Sequence, residues 1–170
     1  VTTRWYRAPE VLLTSGQYGA ELDIWSVGCI FAELILKKPL FPGKSTLNQL
    51  SVINERIGSP TDNDLSSITN IKARKYMKSL PQRPMVDWDQ LLKGASLEEI
   101  DLIKKMLEWD QSKRISAEEA IEHPYFKKLH DPMDEPITYP LEPYDFERNS
   151  ITEHEMRKNL WNEVKLFHGE

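Results

Sequence analysis

Three carboxylates fall within five residues at Asp131, Asp134 and Glu135, and Pro132 and Pro136 stiffen the backbone that carries them. A negative field concentrated in this way steers cationic peptides toward a surface. The other reading of such a cluster is an ordinary solvated face. The four histidines, His123, His130, His154 and His168, stand singly; His123 before a proline and His130 beside an acid suit structural or exposed rings better than proton transfer. No glycine loop for phosphate, no G-x-S-x-G elbow and no zinc spacing of cysteine and histidine occurs. What remains is the opening stretch T-R-W-Y-R-A-P-E, in which Arg4, Arg7 and Glu10 surround Trp5 and Tyr6.

The elements that must position these groups are helices. From Leu22 to Leu36 eleven of fifteen residues are apolar or aromatic. A helix hydrophobic all round must be enclosed by protein or lipid. Asp23 and Glu33 interrupt the run, and a membrane span needs about 20 predominantly apolar residues, so the spacing predicts a buried central helix. Cys29, the single cysteine, lies within it and reads as a small buried thiol; with no internal disulfide open to the chain, a reducing compartment is expected. Pro9 opens a short helix over Ala8 to Leu13. Lys37, Lys38 and Pro39 end the central helix. Ser45 caps a helix over Thr46 to Ile57. The 58–95 region reads as a string of short helices, one near Leu65 to Ile68 and one from Lys72 to Leu80. Capping-box patterns at Ser96, Ser116 and Thr152 open three more helices, the last with Met156, Leu160, Trp161, Val164 and Phe167 along one side. Asp131 to Pro143 reads as an extended arm. No strand, internal repeat or low-complexity segment is apparent, so the fold class is mainly α.

The 170 residues fit one domain of ordinary size. With 27 acidic against 22 basic residues, nothing global attracts nucleic acid or an anionic membrane. No charged-then-apolar leader opens the chain, so secretion is not expected, and a first residue of Val1 suggests a piece of something longer.

T-R-W-Y-R-A-P-E followed by D-I-W-S-V-G-C resembles the protein kinases that include the MAP kinases and cyclin-dependent kinases, with A-P-E marking the end of the activation segment. K-R-I-S-A-E-E-A-I-E-H-P-Y-F resembles the end of the C-terminal lobe. The 58–95 insertion ending near K-A-R-K-Y, the H-D-P-M-D-E-P arm and the last helix narrow the resemblance to MAP kinases, closest to the extracellular-signal-regulated subgroup. It implies the C-terminal lobe of the kinase fold over 1–135, from the end of the activation segment, with the N-terminal lobe absent, and a C-terminal extension over 136–170. The glycine-rich loop, strand lysine, H-R-D loop and D-F-G site of the family do not occur, so ATP and magnesium are expected in the intact parent and not on this segment, which would transfer no phosphate alone.

The resemblance also implies roles. Glu10 and Arg114 form a buried ion pair; read singly, they are ordinary surface charges. Asp23 accepts backbone N–H groups of the catalytic loop, and Thr3 orients the catalytic aspartate; both support catalysis and neither is itself catalytic. Arg4 and Arg7 hold an activation-loop phosphotyrosine, a task that suits forked guanidinium donors, the plain alternative being an arginine stacked on Trp5 or Tyr6. Val1, Thr2, Arg4, Trp5 and Arg7 shape a pocket that takes proline after the phosphoacceptor, because proline needs no backbone acceptor for an N–H. Asp131, Asp134 and Glu135 dock basic peptides of an upstream MAP kinase kinase, of phosphatases and of protein substrates. Leu13, Leu47, Leu50 and Tyr76 form a second docking pocket, with Thr46 where the close subgroup commonly has an aromatic. No metal site is implied. The function so implied is the substrate and docking part of a proline-directed Ser/Thr kinase, cytoplasmic or nuclear. The alternatives are a catalytically inactive docking module or another proline-directed kinase such as a cyclin-dependent kinase.

Overall fold

Ser45 has an extended backbone and its hydroxyl accepts the N–H of Asn48, and from that cap the chain coils without interruption over Thr46–Ile57. Elements of the same kind make up the computed structural model of the protein, which describes residues 3–13, 18–66, 68–135, 138–139 and 150–169. The helices are α1 (Pro9–Leu13), α2 (Glu21–Leu36), α3 (Thr46–Ile57), α4 (Ile71–Ser79), α5 (Trp88–Leu91), α6 (Leu97–Met106), α7 (Ala117–Ile121) and α8 (Glu153–His168). Single 3-10 turns lie at Arg4–Tyr6, Gln111–Lys113 and Pro124–Phe126. No strand occurs among the described residues, as the mainly-α reading expects. None of their helices is long and apolar enough to cross a membrane.

The capping boxes read from sequence are all formed. Ser96, Ser116 and Thr152 each accept an N–H from the glutamate three residues on, and that glutamate's carboxylate accepts the cap's own N–H. α2 ends where Lys37 turns left-handed at φ 56° and donates its N–H to the Glu33 carbonyl.

The chain divides into two units, 1–130 and 131–170. In the first, α2 packs on α6 and forms the wall of the main core. Trp25, fully buried, stacks on Phe41 at 5.8 Å between ring centres and meets Trp109 at 6.4 Å. Leu50, Ile53 and Ile57 of α3, Met77 of α4, Leu92 and Ile103 close the same cluster. The Trp109 indole donates to the Gly58 carbonyl at 3.0 Å, so the ring that fills the core also secures the end of α3. α2 and α6 approach closely because position 28 has no side chain. A Cβ there would stand 2.8 Å from the Met106 Cβ and 3.0 Å from a Leu107 methyl.

Two local expectations are corrected. α2 is not enclosed on every side: Trp25, Gly28, Cys29 and Ala32 are buried, whereas Val27, Ile30 and Leu34 are 47%, 51% and 62% exposed. The all-round apolar pattern demands neighbours on every face, and among the described residues of the first unit they are supplied on one. Among the described residues no helix forms near Leu65 to Ile68, and residues 62–66 make a turn. The Asp64 carboxylate accepts both the N–H and the hydroxyl of Thr61 and so satisfies the helix-start pattern within one turn, while its other oxygen meets the Lys113 ammonium at 2.6 Å.

In the second unit, residues 131–135 form a turn and Tyr139 is exposed; the rest of the expected arm lies outside the described residues. α8 is capped at both ends, by Thr152 and by a left-handed Gly169, and none of its residues is buried.

Gly28→Val is expected to lower the urea unfolding free energy by about 1–3 kcal/mol, the usual cost of overpacking. The exposed neighbour variant Val27→Thr should stay within about 0.5 kcal/mol of the parent chain. Equal midpoints for Gly28→Val and the parent would show that α2 and α6 do not touch there.

Candidate functional site

Arg114 is the deepest charge of the first unit, its side chain wholly buried. The guanidinium grips Glu10 in a fork, Nη1 to Oε1 at 2.7 Å and Nη2 to Oε2 at 3.1 Å. Its second N–H on each side goes to a backbone carbonyl, Glu21 at 2.7 Å and Glu108 at 3.0 Å. The flat cation lies 5.2 Å from the centre of the Trp25 ring. Such a bidentate, carbonyl-satisfied arrangement is what lets an ion pair survive burial. The pairing read for Glu10 and Arg114 is therefore formed, and the surface alternative is not.

From Glu10 backwards the opening stretch is carried on two supports. On α2, the Ser26 hydroxyl donates to the Tyr6 carbonyl at 2.8 Å, and the Tyr6 hydroxyl donates to Glu33 at 2.8 Å. That hydrogen bond to Glu33, with burial and the nearby carboxylate charge, holds the Tyr6 phenol above its ordinary range. On the turn before α3, the Trp5 indole donates to the Gly43 carbonyl at 3.0 Å and Arg4 donates to the Lys44 carbonyl at 3.1 Å. Trp5 and Thr3 are exposed; Arg4 and Arg7 are half-buried at either end of the 3-10 turn. Arg4 uses one N–H on Lys44, and its Nε is buried with no hydrogen-bond partner. Val1 and Thr2 lie outside the described residues.

Other residues singled out from sequence are more dispersed. Asp23 is exposed in the first turn of α2. Leu13 and Leu50 belong to the core cluster, Leu47 is exposed, and the Tyr76 hydroxyl donates to the Leu47 carbonyl at 3.0 Å. In the second unit the Asp131 carboxylate accepts the Met133 N–H, and Glu135 accepts the Asp131 N–H. Asp131 and Asp134 are exposed and Glu135 half-exposed. Cys29 is buried, and that burial pushes its thiol far above the usual range. His123 is buried with Nε2 2.9 Å from an Asp101 oxygen, a structural ring as read.

Sequence reasoning missed Tyr6, Ser26, Glu33 and Gln49. Tyr6 and Ser26 lie inside the two motif blocks and Glu33 inside the apolar run, but no spacing in the sequence links the three. Gln49 is fully buried on α3, and only a polar residue beside Leu50 hinted at it.

Burial pushes Asp64 up, but hydrogen bonds from Lys113 and Thr61 outweigh it and leave its carboxyl below the ordinary range. Burial beside Asp64 pushes Glu108 up. Among the described residues no group of three or more His, Cys, Asp or Glu side chains could hold a metal ion.

The protein kinase domain family matches residues 1–126. The chain belongs to the protein kinase family. It is 48% identical over 166 residues to mitogen-activated protein kinase 5 of Oryza sativa subsp. indica, covering 96% of the chain and 44% of that protein. It is 44% identical over all 170 residues to extracellular signal-regulated kinase 1 of Dictyostelium discoideum, covering 32% of that protein. With mitogen-activated protein kinase 4a of Physcomitrium patens the identity is 45% over 164 residues, 96% of the chain and 44% of the relative. The chain thus spans less than half the length of these curated relatives. These relatives carry the names of mitogen-activated and extracellular signal-regulated kinases, the families that the motifs resemble, and the helical fold of the described residues agrees with the C-terminal lobe.

Glu10→Gln is expected to cost about 3–5 kcal/mol in denaturant unfolding, because the Arg114 charge stays buried without its partner, and Glu10→Leu with Arg114→Met should recover most of it. A double variant as unstable as the sum of the singles would count against the pair. Tyr6 supplies a pH test. Its folded value is raised above 10.0, so its contribution is complete below pH 10 and is lost as pH rises through the folded value. The stability difference between the parent chain and Tyr6→Phe should therefore shrink above pH 10, as read by urea titration at each pH. A difference constant through that range would remove Tyr6 from the linkage.

Proposed function

We propose that the chain is the substrate-side and docking part of a MAP kinase that transfers the ATP γ-phosphate to Ser or Thr before proline. The single observation that carries this reading is the fork of Arg114 on Glu10, which anchors T-R-W-Y-R-A-P-E against α2 with Trp5 and Thr3 turned outward. In this reading residues 1–135 form the lower lobe from the end of the activation segment, and 136–170 an extension. The remainder of the longer protein supplies ATP, magnesium and the catalytic base, and the segment alone is inactive.

Thr3 and Asp23 then support the catalytic loop, and Arg4 and Arg7 receive an activation-loop phosphotyrosine. Val1, Thr2, Arg4, Trp5 and Arg7 shape the pocket that takes proline. Asp131, Asp134 and Glu135 bind basic docking peptides of an activating kinase, of phosphatases and of substrates. Asp131 and Asp134 are exposed as this requires, although Asp131 is partly engaged by the Met133 N–H. Leu47 and Tyr76 remain the accessible members of a second docking pocket whose other walls, Leu13 and Leu50, lie in the core. The place of action is the cytoplasm or nucleus.

The test takes the full-length protein, with ATP and magnesium, to a pair of peptides that differ only in Ser-Pro against Ser-Ala. Phosphate should pass to the first with a preference of about tenfold, about 1.4 kcal/mol in the transition state. Equal transfer to both, or none, sinks the proposal. For docking, Asp131→Lys with Asp134→Lys should weaken a basic peptide about tenfold by calorimetry, and unchanged affinity would remove the acidic turn from the binding surface.

A further inference from the structure

Gln49 carries no exposed surface, yet its side chain is polar and every atom of its carboxamide is used. Oε1 accepts the Gly43 N–H at 3.0 Å. Nε2 donates to the Phe41 carbonyl at 2.9 Å and reaches the Trp5 carbonyl at 3.4 Å. Gly43 in turn accepts the Trp5 indole at 3.0 Å, so Trp5 is held at both its carbonyl and its ring by a circuit that passes through one buried amide. The circuit needs Gly43, because a Cβ there would lie 2.6 Å from the Gln49 Cα and overlap its side-chain oxygen. An apolar residue at 49 would fill the space but leave buried backbone groups unpaired, and a glutamate would accept from Gly43 while facing two carbonyls with no donor.

We propose that Gln49 is a positioning residue for substrate binding, fixing the Arg4–Tyr6 turn through Trp5 and so setting the surface that Thr3, Trp5 and Arg7 present to a peptide. This rests on the reading of that stretch as the substrate side of a kinase. Gln49 itself touches no substrate and acts only through Trp5 and Gly43. The effect falls on peptide binding and not on nucleotide, because the hydrogen bonds of the circuit join the opening stretch to the turn before α3.

The first test is hydrogen exchange by NMR on the isotopically labelled 170-residue chain. Both carboxamide protons of Gln49 should exchange at least about tenfold more slowly than those of the exposed Gln82, and the Trp5 indole should be slowed relative to exposed Trp161. If the Gln49 proton facing Trp5 exchanges as fast as Gln82, the proposal fails without any variant having to fold. In Gln49→Glu the Trp5 indole should lose its protection while that of Trp109, bonded to Gly58, keeps it as an internal check on folding. Retained Trp5 protection would overturn the circuit. In the full-length kinase Gln49→Glu should raise the peptide KM about tenfold with kcat and the KM for ATP unchanged. A loss confined to kcat, or a KM that does not move, would make the residue merely structural. A parent protein that transfers no phosphate would instead remove the kinase reading, and the exchange rates would still decide what Gln49 holds.

Discussion

A buried positive charge must be answered wherever the chain puts it, and the first unit is built around the answer given to Arg114. Four of its N–H groups reach oxygens, two on Glu10 and one each on the Glu21 and Glu108 carbonyls, and its face rests on Trp25. Those partners come from three separate parts of the chain. Glu10 is in α1, Glu21 begins α2, Glu108 follows α6, and Trp25 is the centre of the aromatic stack. The desolvation cost of the cation can be offset only when all of them are in place together. One guanidinium thus makes the position of the opening stretch conditional on the packing of the core.

From that anchor the stretch runs outward as a beam with two supports. Three residues of 3-10 turn could not hold a shape by themselves, since a turn so short gains little from its own hydrogen bonds. Ser26 and Glu33 hold it from α2, and Gly43, Lys44 and Gln49 from the turn and helix beyond. The pattern explains why polar residues sit at these places on the helices. Ser26, Glu33 and Gln49 each interrupt a hydrophobic surface, and each does so to receive the backbone or the phenol of the same short segment. Thr3 and Trp5 are exposed on its outer side, and Trp5 is at the same time tied down through its indole and its carbonyl.

The apolar surfaces left uncovered have a different logic. Val27, Ile30 and Leu34 follow one another along α2 at helical spacing, and α8 buries none of its residues. Both stripes lie in a chain that spans less than half of its curated relatives, which are MAP kinases from rice, moss and a social amoeba. Hydrophobic periodicity reports that a face is to be covered and is silent on what covers it.

Much of the local structure was legible in the amino-acid sequence because it depends on neighbours a few residues apart. The helix starts at Ser45, Ser96, Ser116 and Thr152, the stop at Lys37 and the apolar spacing of α3 and α6 follow from hydrogen bonds and side-chain contacts within a turn or two, and so does the mainly-α class. Glu10 with Arg114 was legible only through the motif that each belongs to, since nothing local links two residues 104 positions apart. The same short-range logic misplaced a helix at Leu65, where Thr61 and Asp64 complete their bonds within one turn and Lys113 draws the free oxygen away. Tertiary structure alone decided that Gln49 would be buried and fully bonded, that Tyr6 would find Glu33, and that α2 would have one covered face and one open. These outcomes depend on which distant segments arrive beside a side chain, and burial, not residue type, then determines whether a polar atom is a liability or a joint.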